Sequence, residues 1–198
     1  MFETLTQLIE RGGYWGILAL TFIETIFPPI PSEVFMPMAG FVAARGSLSL
    51  PGVIAAGTLG SLAGAWFWYG LGRAIGLERT RDLARRHGRW LTLRPRDVDR
   101  AAAWFERRGG WLVLFGRMVP AIRSVVSIPA GIAHMPATRF LLLSGIGSLI
   151  WTTLLMTAGY LLEERYAQVA NWAGPVSNIV IAAIVVVYLW RLVTFKPA

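Results

Sequence analysis

Four ionisable residues stand in apolar surroundings: Glu24 and Glu33 near the start of the chain, Arg117 and Arg123 in its second half. Prolines accompany both pairs, with Pro28 and Pro31 between the acids and Pro120 between the arginines. A charge at bilayer depth costs at least ~2.5–3.5 kcal/mol on insertion scales, so such groups face a partner or a water-filled cavity. Two acids in one segment and two arginines in the other suggest pairing across a shared centre. Glu33 has a second explanation. It follows Ser32, a good helix cap, and an acid in a first turn is stabilised by the helix dipole wherever it occurs. Glu24 lies four residues before Pro28 within an apolar half-helix, and a structural ion pair or proton exchange are its two readings.

Arg117 and Arg123 are six residues apart and would point ~120° from each other on an unbroken helix. Pro120 interrupts the hydrogen-bond ladder between them, so both can turn to one cavity. Arg123 then stands near the start of a half-helix, with Ser124 beside it. A helix N-terminus with two guanidinium forks is an anion site, and phosphate fits it best. The competing reading is snorkelling of the arginines to the headgroups.

The elements that position these residues follow from composition. The 198 residues are 55% hydrophobic and 15% charged, with mean hydropathy +0.55. Uncharged runs cover 46–72, 140–162 and 166–190. A bilayer crossing needs about 20 residues, so an all-α polytopic membrane protein is expected and a soluble enzyme is excluded. The absence of Cys removes disulfides and thiolate metal sites, and two His are too few for a His-based one, so no cofactor or metal is expected. The net charge of +8 suits anionic lipid headgroups rather than nucleic acid, since most of the chain would lie in lipid.

Along the chain, Phe2, Leu5, Leu8 and Ile9 mark an interfacial amphipathic helix that Gly12-Gly13 ends. Residues 13–45 are expected to form a first broken segment, a re-entrant hairpin or one discontinuous helix, and 51–72 a spanning helix. Gly60 and Gly64 have the G-x-x-x-G spacing that permits close approach, within the fold or between copies as a homo-oligomer. Residues 73–108 carry eleven arginines against five acids and read as a cytoplasmic loop of amphipathic helices, opened at Pro95 and closed at Gly109-Gly110. A second broken segment covers 110–134, spanning helices follow at 139–162 and 175–192, and the C-terminus is expected in the cytoplasm. A multi-pass membrane protein is thus expected.

The two broken segments echo each other. Arg11-Gly-Gly-Tyr matches Arg108-Gly-Gly-Trp, Ala39-Gly40 matches Ala130-Gly131, and Gly60-Ser-Leu matches Gly147-Ser-Leu. With one spanning helix between them, two hairpins must insert from opposite faces as an inverted repeat, an architecture of secondary transporters, whereas the alternative is a duplication with a purely structural outcome.

Phe22-Ile-Glu24-Thr-Ile-Phe-Pro28-Pro-Ile-Pro31-Ser-Glu33, followed by Pro37-Met-Ala39-Gly40, resembles the first signature of the bacterial DedA family. Phe115-Gly116-Arg117-Met-Val-Pro120-Ala-Ile-Arg123, followed by Pro129-Ala130-Gly131, resembles its second. The family's core is also called the SNARE-associated or VTT domain. The resemblance implies a membrane lipid transporter with two facing re-entrant hairpins that moves undecaprenyl phosphate or a phospholipid. It also implies that Glu24, Glu33, Arg117 and Arg123 are essential. In this reading the arginines, with Ser124, hold the phosphate. The acids neutralise them in the empty site or take a proton, and the prolines keep the half-helices broken. The alternatives are a proton-coupled exporter of small cations, which leaves the arginines idle, and an intramembrane lipid-phosphate enzyme, for which no nucleophile–base set is visible.

Overall fold

A computed structural model of the chain describes residues 2–27, 32–91, 94–119, 122–123, 125–162, 186 and 190. Pro28, Pro31, Pro120, Ser124 and nearly all of the expected C-terminal spanning helix lie outside the described residues. Among the described residues all regular structure is helical: α1 (Phe2–Ile26), α2 (Ser32–Ala44), α3 (Leu50–Leu91), α4 (Pro95–Gly116), α5 (Ser127–Ile132) and α6 (Ala137–Leu161). Two of these, α3 over Leu50–Arg86 and α6, are long and apolar enough to cross a membrane.

The helix boundaries follow from local chemistry. Gly13 breaks α1 with a φ of 53°, a left-handed value that glycine adopts without a Cβ penalty. It separates the amphipathic residues from the apolar ones that lead to Glu24. Within α3, Gly76 has a φ of 68°, and it stands where the apolar part gives way to the arginine-rich part. Pro95 opens α4, and the Asp97 carboxylate accepts the Arg94 N–H at 3.1 Å. The expected stop at Gly109-Gly110 is not found, because α4 continues to Gly116. Both glycines are buried, and a Cβ at Gly110 would press on Arg139 and Leu143 of α6. Close packing there outweighs glycine's helix-propensity cost of ~1 kcal/mol per residue.

Contacts fix the relative directions of the long helices. Tyr14 lies against Gly52, Leu18 and Thr21 against Gly60, and Thr25 against Gly64, so the apolar half of α1 runs parallel to α3. Gly110 meets Arg139 and Leu143 while Leu114 and Arg117 meet Gly147, so α4 runs parallel to α6. The two pairs are antiparallel to each other: Thr58 Oγ1 is 2.8 Å from Thr152 Oγ1, and Ser61 Oγ is 3.3 Å from Ser148 Oγ. Between α1 and α3 the chain must therefore return, and α2 lies in that return. Between α4 and α6 it must return again, through α5.

Each short helix packs on the long helix of the other half. A Cβ at Gly40 of α2 would collide with the Met156 carbonyl of α6, and one at Gly159 with the Pro37 carbonyl. In the same way a Cβ at Gly131 of α5 would collide with the Tyr69 carbonyl of α3, and one at Gly72 with the Ile128 carbonyl. Small residues let the backbones approach this closely, where dispersion holds helices together in lipid. Two apolar clusters result, one around Ile17, Met36, Val42 and Met156, the other around Tyr69, Val113, Val126 and Phe140.

Candidate anion site between the two halves

The polar seam of Thr58, Ser61, Ser148 and Thr152 runs between α3 and α6. The four ionisable residues singled out in the sequence stand in unequal circumstances. Arg117 follows the last turn of α4, with its Cβ and Cγ against Gly147, next to Ser148. It is only 2% exposed. Its Nη2 donates to the Ser127 hydroxyl at 2.8 Å, while Nε and Nη1 have no hydrogen-bond partner among the described residues. Ser127 is the first residue of α5 and is fully buried.

Arg123 and Glu24, each 4% exposed, form an ion pair through Arg123 Nη2 and Glu24 Oε1. This contact joins the α1 helix of the first half to the turn before α5 in the second. Glu24 Oε2 is buried without a partner. The pairing expected between acids and arginines is thus made by one acid and one arginine. Glu33 is half-buried in the first turn of α2, the place its helix-dipole explanation gives it, and it joins no ion pair among the described residues.

The half-helix beside Arg123 differs from expectation. It begins at Ser127 rather than next to Arg123, and it is six residues long. Its entry is already hydrogen-bonded, since Val126 N–H donates to Ile122 at 2.9 Å and Ile128 N–H to Val125 at 3.2 Å. Buried donors without a partner among the described residues at this end include Nε and Nη1 of Arg117. The sequence reading missed Ser127, although a lone hydroxyl among Val125, Val126 and Ile128 was a signal. Tyr69 was missed too. Its buried hydroxyl donates to the Met135 carbonyl at 2.5 Å and accepts from Arg73 Nη1 at 2.8 Å, which ties α3 to the end of α5.

A buried guanidinium with two vacant donor groups and no carboxylate beside it among the described residues is suited to receive an anion. The desolvation cost of such a charge is several kcal/mol, and an anion bound in the planar fork offsets it.

Comparison with known proteins places the chain. The family model described as the VTT domain matches residues 30–161. The chain belongs to the VTT-domain (DedA) family. It is a membrane protein, and the resemblance seen in the two signatures holds. An alkaline phosphatase-like protein of Lactococcus lactis is 38% identical over 98% of this chain and 92% of its own length. Undecaprenyl phosphate transporter A of Bacillus subtilis is 32% identical over 99% of this chain and 95% of its own. The protein of the same name in Staphylococcus aureus is 30% identical over 98% and 96%. No solved structure matches.

Proposed function

We propose that this VTT-domain protein carries a lipid phosphate across the bacterial inner membrane, with undecaprenyl phosphate as the first candidate cargo and a phospholipid as the second. The observation that carries this reading is Arg117, buried with Nε and Nη1 unpartnered and only a neutral hydroxyl on Nη2. The relatives named as undecaprenyl phosphate transporters support the cargo. Arg117 binds the phosphate, and Ser127 orients its fork. Arg123 is the second ligand, released when Glu24 takes a proton, and Ser124 is an adjacent donor. Glu33 serves as an auxiliary acid.

The parallel α1/α3 and α4/α6 pairs, antiparallel to each other, support an inverted repeat of two re-entrant segments. Pro28, Pro31 and Pro120 keep those segments broken. The reciprocal contacts of Gly40 with Met156 and Gly131 with Tyr69 fit the same scheme. In this topology the arginine-rich residues 73–108 and the C-terminus lie in the cytoplasm. Transport proceeds without covalent chemistry.

The name of the Lactococcus relative favours a second reading, hydrolysis of a lipid phosphate. Purified protein in sealed vesicles with undecaprenyl phosphate separates the two. The proposal expects the lipid to reach the opposite leaflet intact, with no inorganic phosphate released. Phosphate release at the rate of lipid loss would establish the hydrolase, and movement of a small cation alone would establish an exporter.

A further inference from the structure

The apolar walls of α4 and α6 enclose an open groove of about 590 Å³ that the anion site does not use. Trp111 and Leu114 line it from α4, Leu142 and Ile146 from α6, and Thr138 and Arg139 stand at one end. Its size is that of a cavity for a substantial organic ligand. Arg139 is exposed and enters no ion pair among the described residues. Its guanidinium lies against Gly110, where a Cβ would come within 2.8 Å of Nη2. Gly110 therefore makes room for a cation at the mouth of the groove.

The other end of the groove leads to the anion site. Ile146 precedes Gly147, and Gly147 packs on Leu114 and on the Cβ of Arg117. From Arg139 to Gly147 is eight residues of helix, or ~12 Å. One cation at the interface end and apolar walls toward the bilayer interior match a lipid with one anionic headgroup and a long chain.

The first half of the molecule has the same Arg-Gly-Gly-aromatic run, packed differently. There Tyr14 packs on Gly52, and its hydroxyl is 3.0 Å from Ser49 Oγ, which closes the junction of α1 and α3. In the second half Trp111 turns outward and stacks on Phe115 with ring centroids 5.7 Å apart. The difference gives the molecule a sidedness that repetition alone would not.

We infer that the α4/α6 groove is the docking site of a phosphate-bearing lipid, with its headgroup on Arg139 and its chain between Trp111, Leu114, Leu142 and Ile146, before the headgroup reaches Arg117. This rests on the transport reading for its last step only. The groove's ligand is defined by its own residues.

Leu142→Cys in this Cys-free chain gives the test. The full-length purified protein is labelled with a maleimide in the presence of farnesyl phosphate, farnesol or inorganic phosphate. Farnesyl phosphate should protect the thiol saturably, farnesol at least about tenfold more weakly, and inorganic phosphate not at all. Adding Arg139→Gln should raise the farnesyl phosphate needed by about tenfold, the scale of one lost charge-assisted hydrogen bond. Equal protection by farnesol, equal protection by inorganic phosphate, or no effect of Arg139→Gln would overturn the proposal. Protection with this pattern in a protein that moves no lipid would uphold the groove and reject the transport reading instead.

Discussion

Arg117 Nη2 and the Ser127 hydroxyl meet at 2.8 Å across ten residues of chain. The bond holds one edge of the guanidinium and leaves Nε and Nη1 for something else. It also ties the end of α4 to the start of α5, so the same contact that orients the cation sets the turn carrying Arg123.

Ser127→Ala should therefore affect both stability and transport. Losing the hydroxyl leaves a third buried donor unsatisfied, at ~1–3 kcal/mol. Thermal unfolding should shift down, and lipid transport should fall with it. Ser127→Thr keeps the hydroxyl and should recover most of both, whereas equal losses in the two variants would mean that shape at this position, not the hydrogen bond, is what counts.

The two arginines should respond oppositely to neutralisation. Arg123→Gln orphans Glu24 and Glu24→Gln orphans Arg123, and breaking a buried pair this way costs ~3–5 kcal/mol. The double variant should recover much of that stability. Arg117→Gln removes a charge with no counter-charge among the described residues, so its folded yield should equal or exceed that of the unmodified protein while transport is lost. Measuring folded yield and unfolding midpoints for the four proteins checks this, and a strong destabilisation by Arg117→Gln would point to an acidic partner for Arg117.

Backbone contact between the halves depends on the absence of a Cβ. Gly40→Ala and Gly131→Ala press a methyl on the carbonyls of Met156 and Tyr69, neither of which can rotate away. Overpacking of this kind costs ~1–3 kcal/mol or more. Gly70→Ala meets nothing within 4 Å and should be neutral or stabilising by up to ~1 kcal/mol, the helix-propensity difference. Unfolding midpoints for the three should order accordingly.

Topology is open to a direct check. Cysteines placed at residues 90 and 168 and exposed to a membrane-impermeant reagent in intact cells should label at 168 only. Labelling at 90 alone would reverse the orientation.

Much of this was visible in the residues. The kink at Gly13, the acid in the first turn of α2, the opening of α4 at Pro95 and the pairing of Glu24 with an arginine follow from rules that act within a few residues or from charge in an apolar run. The errors came where tertiary contact overrides local preference. Gly109-Gly110 reads as a stop, yet Arg139 and Leu143 pack there and α4 goes on. The half-helix expected to start beside Arg123 starts at Ser127, because the turns at Ile122 and Val125 are held by their own hydrogen bonds. No rule of spacing shows which arginine Glu24 chooses. That choice separates an anion-binding Arg117 from a neutralised Arg123, and only the crossing of α1 with the second half reveals it.

The central claim is that Arg117 grips a lipid phosphate. The most direct test is transport of undecaprenyl phosphate in sealed vesicles by the unmodified protein and by Arg117→Lys, at matched folded protein. Lysine keeps the charge but lacks the planar fork that binds phosphate in two places. The account predicts transport lowered at least about tenfold in Arg117→Lys, the loss of one charge-assisted hydrogen bond. Transport by Arg117→Lys at the unmodified rate would contradict it.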